Sequence, residues 1–373
     1  MKKWARITAW IIAIGLLASC RDRLDLENAT IPLAFGIDLK EDNMLRFYTS
    51  SPVFLQDSQK KSLETTTDAL APRQSRSGQG AETSGLLAGK NFQVIVMGGR
   101  VLEHAGWFKL LDVVFRDAKN TTTDRMIYYD GPLEDIMFKD EPEHPILPIF
   151  LRSMVDTKSR RSETVLTTVQ EMHRHFYETG ITPAMSEIGL NEKKNIYLKG
   201  TALLADDGRY RMSLNHQETT LLRILQGDAD GGVSLSFSMP DKPKTGPFHT
   251  NVFSFSSSGI KTKIKPGYSG GRFKFDIDVL LPAGLSEVMF PHDVRKETKE
   301  LEKQLGRLAE EQFDRLIGKF QEKRVDPIGL GIYARAYEYK QYRKVQNDWP
   351  EAFAVAKINV KVSIKIKSMG PVL

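Results

Sequence analysis

Three stretches near the C-terminus alternate strictly between apolar and polar residues, and they constrain the fold more than any other feature. Ile260, Thr262 and Ile264 alternate with Lys261, Lys263 and Lys265. Phe273, Phe275, Ile277 and Val279 are separated by polar neighbours. At the end of the chain, Ile358, Val360, Val362, Ile364 and Ile366 alternate with Asn359, Lys361, Ser363 and Lys365. A period of two sends each set to one face, so each stretch predicts a half-buried strand, the last with a cationic outer face. Between them, Leu301, Leu305, Leu308, Phe313, Leu316, Ile317 and Phe320 recur at helical spacing, predicting a long amphipathic helix over 292–323. Asp326-Pro327 ends that region and starts a shorter helix through Tyr333 and Tyr337.

Upstream, the pattern changes. Ile31–Asp38 reads as a buried strand paired with Leu45–Thr49 across the turn Glu41-Asp42-Asn43. Residues 57–90 are rich in Ser, Thr, Gly, Gln and charge, and read as a mobile loop. Phe92–Met97 is a strand ending at Gly98-Gly99, with helical spacing of Val101, Leu102, Ala105, Phe108, Leu111, Val114 and Phe115 after it. Arg125–Tyr129 is the next strand, and Leu133–Phe138 starts a helix after Pro132. This order implies a parallel, right-handed βαβ unit. Ser162 reads as the cap of a helix to about Thr179, stopped by Gly180. From Asn195, two strands flank the hairpin turn Asp206-Asp207-Gly208, followed by a helix over Glu218–Leu225 and a strand over Val233–Met239. Pro240, Pro243 and Pro247 mark a boundary. The expected fold class is α+β and multi-domain. An N-terminal α+β domain over 20–194 contains the βαβ unit and the mobile loop 57–90. A middle α+β domain spans 195–243, and a C-terminal α+β domain spans 244–373.

The N-terminus follows a different logic. Lys2, Lys3 and Arg6 precede the apolar run Ile7–Leu17, which is too short to span a bilayer but fits the core of a secretory signal. Leu17-Ala18-Ser19-Cys20 closes it with small residues before the only cysteine of the chain. This tetrapeptide resembles the lipobox of bacterial lipoproteins. The resemblance implies removal of residues 1–19 by cleavage after Ser19, with S-diacylglycerol and N-acyl groups on Cys20. Two or more chains give a stable anchor where one gives only marginal binding. With Cys20 acylated, no thiol remains for a disulfide, a thiolate metal site or a nucleophile. The net charge of +6 includes three positive charges of the signal, leaving too little excess to argue for nucleic acid.

No set of residues forms a catalytic constellation. Gly267-Tyr268-Ser269-Gly270-Gly271 matches G-x-S-x-G, but strands lie on both sides where a nucleophile elbow needs a strand-to-helix turn, and only His292 follows as a base. His173 and His175 are two apart on one helix, whereas a helical zinc pair needs four. Asp228-Ala229-Asp230-Gly231 resembles the start of an EF-hand loop without its later ligands and reads as a turn. Asp140-Glu141-Pro142-Glu143-His144 is a charged turn. Phosphate-cradling glycine motifs do not occur, and Gly98-Gly99 reads as a tight turn. The expectation is no enzyme, no cofactor and no metal. Lys361 and Lys365 form a face that is solvated or meets headgroups or an acidic partner.

In order along the chain, several segments resemble the Ger(x)C family of spore germination lipoproteins, the C subunits of germinant receptors. They are the lipobox with Cys20-Arg21-Asp22, Phe35-Gly36-Ile37-Asp38, Glu82-Thr83-Ser84-Gly85, Gln93–Gly98, Leu111-Asp112 to Arg116-Asp117, Gly200-Thr201-Ala202 and Asp206-Asp207-Gly208. The most specific lie late: Phe320-Gln321, Asp326-Pro327-Ile328-Gly329-Leu330-Gly331, Trp349 and Val360–Ile364. The family commonly has Trp after the cysteine, where this chain has Arg21. The resemblance implies a three-domain protein anchored at the outer face of the spore inner membrane. It also implies assembly with multi-spanning A and B subunits into a receptor for small nutrients, with direct contact to the germinant left open. It carries no catalytic residue over. The alternative reading is a solute-binding lipoprotein that captures the nutrient itself.

Overall fold

The computed structural model describes residue 4 and residues 29–54, 58–82, 86–87, 91–117, 120–139, 145–229, 231–240, 244–248, 250–290 and 294–368. Two sheets organise them. The first contains β1 (Ala34–Leu39), β2 (Leu45–Pro52), β3 (Ser62–Ala69), β4 (Val94–Gly98), β5 (Arg125–Tyr129), β6 (Ala184–Leu190), β7 (Ile196–Leu204) and β8 (Tyr210–Leu214). Its order is β8-β7-β6-β5-β4-β1-β2-β3. The central strands β1, β4, β5 and β6 are parallel, and antiparallel pairs complete both edges. A two-residue parallel pair, Ala29–Thr30 with Leu86–Leu87, lies apart.

Both faces of this sheet are covered, which is why β4 and β5 are almost continuously apolar. On one face Ile37, Ile95, Met97 and Met126 pack with Trp107, Leu111, Val169 and Met172. On the other, Val94, Val96 and Ile127 meet Leu133, Ile136, Leu151 and Val155. The covering helices include α1 (Pro72–Glu82), α2 (Leu147–Arg160) and α3 (Val169–Tyr177). A capping box starts α3: the Thr168 hydroxyl accepts from the Glu171 amide, and the Glu171 carboxylate accepts from the Thr168 amide.

The second sheet contains β9 (Val233–Ser238), β10 (Val252–Ser257), β11 (Lys261–Ser269), β12 (Arg272–Val288) and β13 (Lys357–Ser368). At 17 residues, β12 is long enough to pair with β11 and then β10 along one edge while β13 runs parallel along the other. One face is buried under α4 (His216–Gln226), α5 (Val294–Lys323), α6 (Leu330–Tyr337) and α7 (Trp349–Ala354). There Phe253, Phe255, Phe275 and Ile277 share a core with Leu305, Phe313, Phe320 and Phe353. α5 also closes the outer edge of β13. The Val362 amide donates to Glu310 Oε1 at 2.9 Å and the Ile366 amide to Glu302 Oε1 at 2.9 Å. Gly306 lies midway, where a Cβ would stand 3.2 Å from the Val362 carbonyl oxygen, so the helix can approach the strand closely. An edge strand otherwise open to pairing with another chain is thereby covered.

The expected strands over 31–38, 45–49, 92–97, 125–129, 233–239, 260–265, 273–279 and 358–366, the hairpin at Asp206-Asp207-Gly208 and the helices near 218–225 and 292–323 are present within a few residues. Four expectations change. The loop 57–90 contains β3 and α1 among its described residues, because Thr65, Thr66 and Thr67 are β-branched and Asp68 and Glu64 find partners on β2. The helix expected after Gly99 is two 3₁₀ turns, Gly99–Glu103 and Trp107–Leu111, and a short helix, Asp112–Arg116. Gly106, at φ 86°, interrupts it. Ser162 ends a helix rather than starting one: it sits at φ 59° just beyond α2, and Thr168 is the cap of α3. Residues 196–214, expected to open a middle domain at 195, complete the first sheet through β7 and β8. Moreover Leu203, Leu214 and Leu222 share a core with Phe275 and Phe313, so the two sheets are packed into one body. Residues 1–3 and 5–28, with Cys20, lie outside the described residues, as do 140–144, Asp230 and His292.

Candidate functional site

The C-terminal ends of β1, β4 and β5 open onto a basin of about 550 Å³. The chain leaves β1 toward β2 on one side, whereas β4 leads on to β5 on the other, so the basin sits at a topological switch point, where open α/β sheets bind ligands. Asp38 forms its floor. Its Oδ2 accepts from the Leu133 amide at 2.9 Å and its Oδ1 from the Leu39 amide at 2.8 Å. A Cβ on Gly98 would collide with this carboxylate, so Gly98 makes room for Asp38, while a Cβ on Gly99 would press on Asp130. Oδ2 thus joins β1 to the loop after β5, while Oδ1 is held locally at the end of β1. Two cations of the rim, Arg46 and Lys40, are held from β3 by Asp68: Arg46 Nε lies 2.7 Å and Lys40 Nζ 3.0 Å from it, and the Arg46 hydrogen bond holds its carboxyl down at about 2. Glu41, Glu103, Asp130, Glu134 and Arg100 complete a polar, mainly acidic rim. Burial pushes the Tyr48 phenol, also in the basin, up to about 12. No nucleophile is paired with a base here. The arrangement can receive a small polar molecule or a partner's loop.

A second constellation joins the two sheets. Asp326 is fully buried, and four donors converge on it: the amides of Gly329 and Leu330 on Oδ1, and the Gly331 amide and Trp349 indole N–H on Oδ2, at 2.9–3.1 Å. Its own amide donates to Thr182 Oγ1 at 2.7 Å, and its carbonyl accepts from the Thr182 amide. Gly180 and Gly331 touch: a Cβ on Gly331 would lie 2.6 Å from Gly180 Cα and 2.7 Å from Trp349 Nε1. Burial pushes the Asp326 carboxyl up to about 6, with the Gly331 amide first among the donors that oppose the shift. Nearby, Arg335 grips Glu178 with two bonds of 2.6 and 2.8 Å. The motif Asp326–Gly331 is therefore a buried knot tying α6 and α7 to the start of β6, with no access for a ligand.

The structure separates the other candidates. Ser269 is exposed in the β11–β12 hairpin opposite Arg272, with strands on both sides and no elbow. His173 is exposed, with its ring edge-on to Phe115 and tilted against Tyr177, centroids 4.7 Å from each. His175 is largely buried, and burial pulls it down to about 4. Among the described residues, no group of three His, Cys, Asp or Glu side chains could hold a metal ion. Lys365 pairs with Glu302 at 3.0 Å, while Lys361 lies exposed on the outer sheet face. Sequence reasoning missed Glu187, fully buried on β6 with Lys199 Nζ 2.6 Å from Oε1, beside the stacked rings of Tyr128 and Tyr210. Its one signal was a carboxylate inside the otherwise core-forming run Ala184–Leu190. Among the described residues, no helix is long and apolar enough to cross a membrane.

Comparison with known proteins gives a consistent family. The N-terminal domain model of spore germination proteins matches residues 22–190, and the spore germination B3/GerAC-like C-terminal model matches residues 199–370. The family division thus falls between residues 190 and 199, across the β6–β7 turn and the first residues of β7, although the sheet itself continues across it. Spore germination protein A3 of Bacillus subtilis (strain 168) is 21% identical over 379 residues, covering 98% of each chain. The crystal structure of the GerBC protein superposes with a TM-score of 0.58 at 17% identity, covering 92% of this chain and 99% of that one.

Proposed function

The chain belongs to the Ger(x)C family of spore germination proteins, and from that premise we propose that it is the lipid-anchored, non-enzymatic C subunit of a nutrient receptor. A role in spore germination follows from the family. The finer reading is that the protein is exported, cleaved after Ser19, acylated on Cys20, and held at the outer face of the spore inner membrane. There it assembles with multi-spanning A and B subunits and couples nutrient binding to germination. The observation that carries this reading is the family match over both halves of the chain, joined to an N-terminal segment built as a lipoprotein signal. The buried Asp326 knot supports it, since it invests the family's most specific motif in rigidity rather than in chemistry. Deleting the gene in a strain without paralogues should abolish germination toward one class of nutrient while lytic enzyme levels stay normal. An unchanged nutrient response overturns the reading.

One observation favours a second reading, direct capture of the nutrient. The strand-end basin has the volume and position of a small-ligand site. Titration calorimetry of the protein with candidate amino acids and sugars decides this. Micromolar heats that vanish in Asp130→Asn would establish capture, and their absence would leave coupling alone.

A further inference from the structure

The outer face of the second sheet is uncovered among the described residues, and it concentrates positive charge. The β11–β12–β13 register places Lys261, Lys263, Lys265, Arg272, Lys274, Lys357, Lys361 and Lys365 on this one face, against Asp276, Asp278 and Glu287. Its excess of five positive charges compares with +6 for the entire chain, three of which lie in residues 2–6. The rest of the protein is therefore close to neutral. Internal pairs account for part of the face: Lys265 with Asp278 at 2.7 Å, Lys274 with Asp276 at 2.9 Å and Lys365 with Glu302. Lys261, Lys263, Lys357 and Lys361 are exposed and have no carboxylate partner among the described residues.

We propose that this sheet face docks against the anionic headgroups of a phospholipid bilayer. The side-chain chemistry selects a lipid surface over an acidic protein. Protein interfaces centre on buried aromatic and arginine anchors and are poor in lysine. Seven of the eight cations here are lysines, and β9 and β10 extend the face with Ser234, Ser236, Ser254 and Ser256 rather than with aromatic residues. Flexible, fully hydrated ammonium groups spread over a broad sheet suit a diffuse layer of phosphates, to which each contributes by long-range attraction. The inference rests on the anchored reading for placing a membrane within reach. Its test does not involve the anchor.

The full chain carrying Cys20→Ser, so that no acyl group can attach, is mixed with vesicles of phosphatidylcholine alone and of phosphatidylcholine with phosphatidylglycerol. We expect salt-sensitive binding to the anionic vesicles. Combined Lys261→Gln, Lys263→Gln, Lys357→Gln and Lys361→Gln should lower that partitioning by about thirtyfold or more at low salt. The same change at the exposed Lys60, Lys193, Lys244 and Lys340 should lower it less than about fivefold. Circular dichroism and melting must match the parent for both variants, as all eight side chains are exposed. Equal losses in the two variants, or equal binding to both vesicle types, overturns the proposal. So does a face variant that keeps its vesicle binding while losing an acidic protein partner. Such a failure would leave the Cys20 anchor standing, whereas loss of the anchor would leave vesicle binding by this face intact.

Discussion

The two sheets solve the burial problem in opposite ways. In the first, four parallel strands are buried on both faces, and apart from buried Glu187, met by Lys199, their acidic cluster lies beyond the strand ends around Asp38. In the second, one face is packed with phenylalanines and the other is left open and cationic. The difference teaches how each half can meet another molecule: the first in concavities such as the basin beyond its strand ends, the second across a whole surface. The halves still form one body, because Leu203, Leu214 and Leu222 lie in the core of the second sheet.

The largest effect tests that unity. Residues 22–194 expressed alone should fail to fold, since they lack β7 and β8 and leave β6 an open edge. A cooperative melt of that fragment would show that the halves are separable after all. Next comes the knot between them. Asp326→Asn turns an NH₂ group toward donors that all need an acceptor, and should cost about 2–4 kcal/mol in chemical denaturation.

Acid separates the two regions further. His175 has a folded value of about 4, below the ordinary 6.5, so the native state binds fewer protons between those values. Its contribution is present above pH 6.5 and lost as pH falls toward 4, at most about 3 kcal/mol. Asp326 has a folded value of about 6, above its ordinary 3.8, so the native state binds more protons across that window. Its contribution is present below pH 3.8 and lost as pH rises through 6. Denaturation midpoints from pH 4 to 7 should therefore show the advantage of wild type over His175→Phe growing with pH, and that over Asp326→Asn shrinking. Parallel curves would contradict both assignments.

Smaller effects fall on local devices. Removing the edge guard with Glu302→Ala and Glu310→Ala frees two β13 amides, at about 1–2 kcal/mol together, and should add concentration-dependent association by sedimentation. Thr168→Ala in the first half should cost about 1 kcal/mol through the lost cap, without association.

Much of the second sheet was legible because its open face imposes alternation on Lys261–Ile264 and Phe273–Val279. The cationic face was legible only at Lys361 and Lys365, because the β12–β13 pairing joins strands separated by α5, α6 and α7. The first sheet hid more. Thr65–Thr67 form a strand from polar residues, inside a stretch whose composition reads as a loop. Asp38 and Asp326 stood in recognisable motifs, yet nothing local showed that one floors a basin and the other a sealed knot. Those roles depend on partners far along the chain, Leu133 and Thr182.

The central claim is that the protein serves germination as a membrane-tethered subunit, and Cys20 is where it is most exposed to test. In spores whose only copy carries Cys20→Ala, nutrient-triggered germination, followed by loss of optical density, should slow at least tenfold while the protein leaves the inner-membrane fraction. Germination at the wild-type rate with the protein released from the membrane would contradict the account.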